Sequence, residues 1–376
     1  MGNSVSFADP QIEQARVTAA ATLLQKHLDP RGPADAILII VLTTVYAVTS
    51  TAVVYMLFHR NYPPIRCKSP LLLAAIVVCS MVWLVGDLQS NGHVQLQGTA
   101  LENCKAFGLW MRIVLGVLTV SALWAVRAYG VLRVFRSSKP FSGRGMYVLL
   151  CLFFVHFAVF GIVTQALGPS KTMSYVRPLD VCNLSPKVLT VSLTTIWVIW
   201  AGVVVLSWMA RNIKTSFSET RETVFGCIVV FAILTCVTAT MYAAPYYPFS
   251  VRLRVMSTVV DHVATNSYLW LVMAKPVFNC MFCREQYLDR WMATLIEDGL
   301  ELQYDVDCGG RDNTTTVCPT EDGHSQPGCS TPDPCPAYSA EPLTAPAGNA
   351  ISWPTLHISH PPPPLPAKAP ARARFW

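Results

Sequence analysis

Four ionisable residues, Asp87, Arg112, Asp261 and His262, stand inside stretches otherwise almost free of charge. A charge in hydrocarbon costs on the order of a few kcal/mol, so such groups face a partner, a cavity or a path for ions. Trp83, Trp110, Tyr242 and Trp270 occupy the same stretches. Together the eight form a candidate ligand pocket, with opposite charges for recognition and aromatic faces for apolar contact. Two other readings compete: interhelical pairing with no ligand, and the polar pathway of a transporter or channel. His156, alone in its stretch, reads as a hydrogen-bonded packing residue. The chain has no nucleophile triad, phosphate loop or metal-ligand spacing, so neither an enzyme nor a bound cofactor or metal is expected.

A second constellation lies in the short polar island RNIKTSFSETRE, residues 211–222, between two apolar runs. Glu219 in this island and Arg127 near the end of an earlier run could form an ion pair bridging two helix ends. Breaking that pair would let the ends separate, as a two-state switch requires.

The elements that must carry these residues follow from composition. The chain has 376 residues, 52% hydrophobic and 13% charged, against roughly a quarter charged in a soluble domain. A helix needs about 20 apolar residues to cross a bilayer. Runs near 36–58, 70–88, 102–135, 146–167, 188–210, 223–244 and 254–280 meet that length. The expected fold is an all-α membrane protein, a seven-transmembrane helix bundle over residues 36–280. A 1–35 segment precedes it, an amphipathic membrane-surface helix spans 281–304, and a disordered Pro-rich tail spans 305–376.

Charge sets the orientation. The loops after the first, third and fifth runs carry Arg60, Arg66, Lys68, then Arg133, Arg136, Lys139, Arg144, then Arg211, Lys214, Arg221. The alternate loops carry Lys171, Arg177, Arg252 and Arg254, with none in residues 89–101. Positive residues collect on the inner side, which places the N-terminus outside and the C-terminus in the cytosol, and argues against nucleic acid as a partner. The opening MGNSVS fits N-myristoylation at Gly2, which would require the opposite orientation; the loop charges outweigh it. No cleaved signal peptide is visible in the first residues. Cys104 and Cys182 fall on the oxidising side and are expected to form a disulfide, whereas Cys79, Cys151, Cys227 and Cys236 read as small packing residues. Cys280 and Cys283 flank the surface helix as lipidation candidates. Pro363, Pro366 and Lys368 fit a ligand pattern for an SH3-domain partner.

With these motifs in order, the chain resembles the class C G-protein-coupled receptors, the family of metabotropic glutamate and GABA type B receptors. Arg211, Ile213, Phe217, Glu219, Arg221 and Phe225 match the family's third-loop signature, with Ser218 in place of its asparagine. VRAYGVLRVF is similar to the family's third-helix end, with Arg127 at the lysine position, Arg133 at the last arginine and Gly130 replacing the middle one. PPIRCKSP resembles the first inner loop of the GABA-type branch through Ile65, Arg66, Ser69 and Pro70. The resemblance implies a plasma-membrane receptor that activates a heterotrimeric G protein, with Arg127–Glu219 as its resting lock and Cys104–Cys182 as its outer disulfide. It also implies a homo- or heterodimer. Two departures stand out: only a short segment precedes the bundle, and Lys275-Pro276 reverses the family's order. This mix is similar to the divergent seven-helix receptors of fungi and protists.

Overall fold

Proline opens five of the helices: Pro10, Pro33, Pro63, Pro70 and Pro186 each sit at a first turn. There the missing N–H has no intrahelical partner to lose and the fixed φ already suits the helix. In the computed structural model the described residues are 8–137, 144–209 and 219–297, all within one compact unit that spans Met1–Val306. The helices are α1 (Pro10–Leu23), α2 (Pro33–Phe58), α3 (Pro63–Arg66), α4 (Pro70–Ser90), a π-helical segment (Lys105–Leu118) running into α5 (Thr119–Ser137), α6 (Arg144–Ala166), α7 (Pro186–Met209), α8 (Glu219–Ala243), α9 (Val251–Phe282) and α10 (Arg284–Glu297). Strands β1 (Met173–Val176) and β2 (Val181–Leu184) form an antiparallel hairpin between α6 and α7, with Tyr175 opposite Cys182.

Among the described residues, six helices are long and apolar enough to cross a membrane. The seventh expected span, α9, is 32 residues long but carries Arg252, Arg254, Asp261 and Lys275 along its length, so its mean hydropathy falls below the others. The bundle is therefore the all-α seven-helix one expected from the sequence. α10 occupies the place of the expected surface helix.

Lipid tails are as apolar as leucine, so burial of greasy surface does not drive membrane helices together; close packing of small residues does. Gly86 shows this on α4. A Cβ there would lie 2.5 Å from Arg112 N and 2.7 Å from Phe107 O, so only glycine lets α4 press against the π segment. The core that results runs through Leu73, Ile76, Leu109, Leu269 and Met273, all fully buried. On the opposite flank α6 turns Tyr147, Leu152, Phe154 and Ile162 outward as membrane-facing surface.

Three sequence expectations change here. The third run is not one helix: π-helical to Leu118, it passes through a non-helical Gly116 (φ −84°, ψ −108°) before α5 begins. His156 is not a packed residue; it is exposed on α6, with only an edge contact to Phe157 at 5.8 Å. Cys151 is likewise exposed on α6, while Cys227 is buried as expected.

Residues before the first span are not a loose lead. α1 is capped by Asp9, whose Oδ1 accepts from Gln11 N at 2.9 Å, and it is clamped onto the β1–β2 turn. Arg16 Nε donates to Leu179 O at 2.8 Å, and Arg31 Nη1 reaches Asp180 Oδ2 at 2.7 Å and Glu13 Oε1 at 3.1 Å. Asp180, in a left-handed conformation (φ 48°), also accepts from Leu96 N, Gln97 N and Tyr175 Oη. Burial first, and then the Asp180 carboxylate beside it, hold the Tyr175 phenol above its usual range. Burial, and next the neighbouring Arg31, lower Arg16 to about 10 although Glu13 opposes the shift. The Cys104–Cys182 disulfide ties the same hairpin to the start of the π segment. At the other end of the bundle α3 meets α10, where Tyr62 Oη donates to Arg284 O at 2.7 Å.

Candidate functional site

The four charged residues picked from the sequence converge where α4, the π segment and α9 meet. Arg112 Nε lies 2.8 Å from Asp87 Oδ1, and His262 Nε2 lies 3.6 Å from Asp87 Oδ2. Asp87 and His262 are fully buried. Neither Asp87 oxygen nor His262 Nε2 has a hydrogen bond: the Arg112 contact is an ion pair without hydrogen-bond alignment, and the His262 contact is too long. His262 Nδ1 is fixed by Tyr46 Oη at 2.9 Å, and its ring lies against Trp83 at 5.0 Å between centroids.

From this pair a polar chain climbs toward the disulfide end. Arg112 Nη2 donates to Asn91 Oδ1 at 3.0 Å, which also accepts from Tyr247 Oη at 2.7 Å. Asn91 Nδ2 donates to Thr258 Oγ1, which pairs with His93 Nε2 at 2.9 Å. His93 Nδ1 meets Asp35 Oδ1 at 2.7 Å, and Asp35 Oδ2 takes Arg254 Nη2 at 2.6 Å. Asp35 Oδ2 also caps α2 by accepting from Gly32 N at 3.0 Å. Asn91, His93, Asp35 and Thr258 were missed from the sequence. Asp35 in the first turn of an apolar helix was the one available signal, since uncharged polar residues such as Asn91 and Thr258 are common in helices and at their ends.

Beside the pair lies a cavity of about 130 Å³ between the π segment, α5, α7, α8 and α9. Trp83, Arg112, Trp124, Trp200, Asp261 and Tyr268 line it, among aliphatic side chains. Asp87 and His262 stand behind Arg112 and Trp83 rather than on the wall. Three of the expected pocket aromatics are elsewhere. Trp110 packs on Gly161 of α6 and donates to Gln165 Oε1 at 3.3 Å. Tyr242 is exposed and meets Thr190 Oγ1 at 2.8 Å. Trp270 donates to Thr49 Oγ1 at 3.0 Å between α9 and α2. Each is outside the cavity wall because its helix turns it toward a different neighbour.

Below the cavity Trp124 and Tyr268 stack at 3.9 Å with 14° between their planes, joining α5 to α9. Gly226 of α8 leaves room for the Tyr268 ring. Trp200 Nε1 donates to Ser121 Oγ at 3.1 Å, which pins α7 to α5. The Arg127 guanidinium lies 5.8 Å from the Trp124 ring centroid, one turn further inward, and Arg127 is buried. Arg133 lies against Gly145. Phe217 lies outside the described residues, as do the side chains of Glu219 and Arg221. Gly2 and the Pro363–Lys368 pattern also lie outside them. Cys280 is buried, with Tyr55 Oη 3.6 Å from its sulfur, and Cys283 is half-buried between α9 and α10.

A seven-helix membrane bundle with a closed polar pair, an adjoining aromatic cavity and a disulfide-tied hairpin is the architecture of a transmembrane receptor domain. The family model described as "7 transmembrane sweet-taste receptor of 3 GCPR" matches residues 31–275, and the chain belongs to that family, the seven-transmembrane domains of class C G-protein-coupled receptors. The family is generally non-enzymatic. No curated protein sequence matches the chain.

Proposed function

We propose that this chain is a plasma-membrane receptor that senses a ligand in the cavity beside Asp87–Arg112 and passes the signal to a heterotrimeric G protein through its inner loops. One observation carries the reading: the Trp124–Tyr268 stack lines the cavity, and the Arg127 guanidinium lies 5.8 Å from the Trp124 ring centroid. A ligand that shifts the stack would move Arg127, the residue at the lysine position of the family's third-helix signature. Interior packing has discrete arrangements rather than continuous ones, so a small shift at the cavity can select between two positions of α5 and α8. Arg127 and Glu219 would hold the resting position, and Arg133, Phe217 and Arg221 would meet the G protein.

The test is basal nucleotide exchange on a co-expressed heterotrimeric G protein. Glu219→Ala is expected to raise ligand-free exchange at least about fivefold, the effect of a modest coupling energy. Exchange that never exceeds the vector control in any variant, beside a substrate-dependent current or flux, would sink the receptor reading.

A further inference from the structure

Resting on the receptor reading of this cavity, we infer that its ligand is a small organic cation with an apolar, ring-sized body, held by Asp261. The charge count is the first ground. On the cavity wall stand one guanidinium, Arg112, and one carboxylate, Asp261. Arg112 Nε sits on Asp87, and its Nη2 donates to Asn91 and Tyr247. The Asp261 carboxylate lines the cavity and makes no hydrogen bond or ion pair among the described residues; only its backbone carbonyl is used, by Thr265 Oγ1 at 2.9 Å. The wall therefore carries one carboxylate with no partner among the described residues, and the apolar cavity in front of it is where a counter-charge would sit.

The walls select what kind. The indole faces of Trp83, Trp124 and Trp200 and the phenol of Tyr268 suit a weakly hydrated cation through their quadrupoles. A metal ion would need about six oxygen ligands. The nearby hydroxyls are committed: Ser121 accepts from Trp200, Ser192 donates to Val188 O, and Thr265 donates to Asp261 O. Asp87 and His262 Nε2, both fully buried and without a hydrogen bond, sit directly behind the wall, so the site is polarised at one end and apolar at the other. An ammonium at Asp261 with its body against Trp124 and Tyr268 would press on the stack that leads to Arg127. Room of about 130 Å³ suits a group the size of one aromatic ring.

The experiment uses the full chain in lipid nanodiscs, with benzylammonium as the probe and benzyl alcohol as its uncharged near-isostere, read by quenching of tryptophan fluorescence and by the shift in melting temperature. The expected result is that benzylammonium binds, benzyl alcohol binds at least about tenfold more weakly, and Asp261→Asn removes that difference while Asp261→Glu keeps it. Equal binding of the two probes to the unaltered chain, unchanged benzylammonium affinity in Asp261→Asn, or no benzylammonium binding at all would overturn the inference. Sodium or calcium chloride displacing the probe at matched ionic strength would overturn it in favour of a metal site. Because binding is read without a G protein, a chain that binds benzylammonium through Asp261 but never raises nucleotide exchange would sink the receptor reading and leave the cation site standing.

Discussion

Asp87 and Arg112 are the residues on which the bundle interior depends most directly. The Asp87 side chain is fully buried and that of Arg112 is 12% exposed, so each is the other's main compensation for leaving water. Removing one partner strands the other, which costs about 3–5 kcal/mol, whereas replacing both with apolar residues of similar size is often near neutral. Asp87→Ala is therefore expected to lower the melting temperature sharply, and Asp87→Leu with Arg112→Met to recover most of the loss. If the double variant melts as low as the single one, the pair is not what holds this region. These two residues were legible in the sequence because a charge in an apolar run has few reasons to be there. Their extension was not: Asn91 and Thr258 are ordinary polar residues until the fold stacks them between Arg112 and His93.

At the scale of elements, the π segment carries both Trp110 and Arg112, and their spacing decides which neighbour each meets, whereas Tyr242 and Trp270 belong to α8 and α9. Trp110 and Arg112 are two residues apart, a spacing that puts them on opposite faces of a helix. Trp110 thus faces α6 while Arg112 faces α4. Helix ends were easier to foresee, since proline and glycine mark them; the hairpin and α1 were hidden because their stability comes from distant partners such as Asp180 and Arg31. The element-level test is steric. Gly86→Ala would place a Cβ 2.5 Å from Arg112 N, and backbone cannot step aside cheaply. It is expected to cost about 1–3 kcal/mol. Gly202→Ala on α7, with nothing within 4 Å of the new carbon, is the control and is expected to leave the melting temperature almost unchanged. Equal effects of the two would mean that α4 and the π segment are not in close backbone contact.

For the whole molecule the question is which end faces out. The structure gathers α1, the β1–β2 hairpin and the Cys104–Cys182 disulfide at one end, and α3 with α10 at the other. Three arginines at the hairpin end pair with acids at the same end: Arg16 with Glu13, Arg31 with Glu13 and Asp180, and Arg254 with Asp35. Orientation follows the count of Lys and Arg rather than net charge, and the loops near Arg66, Arg136 and Arg211 carry the larger count, which predicts that they face the cytosol. An epitope placed before residue 1 should be stained on intact cells, and one placed after residue 376 only after permeabilisation. Cys104 and Cys182 should resist a membrane-impermeant maleimide until a reductant is added, and then react from outside. Outside staining of the C-terminal epitope would invert the molecule. The cavity's hairpin end would then face the cytosol, and Arg127 with the inner loops would lie where no G protein could reach them.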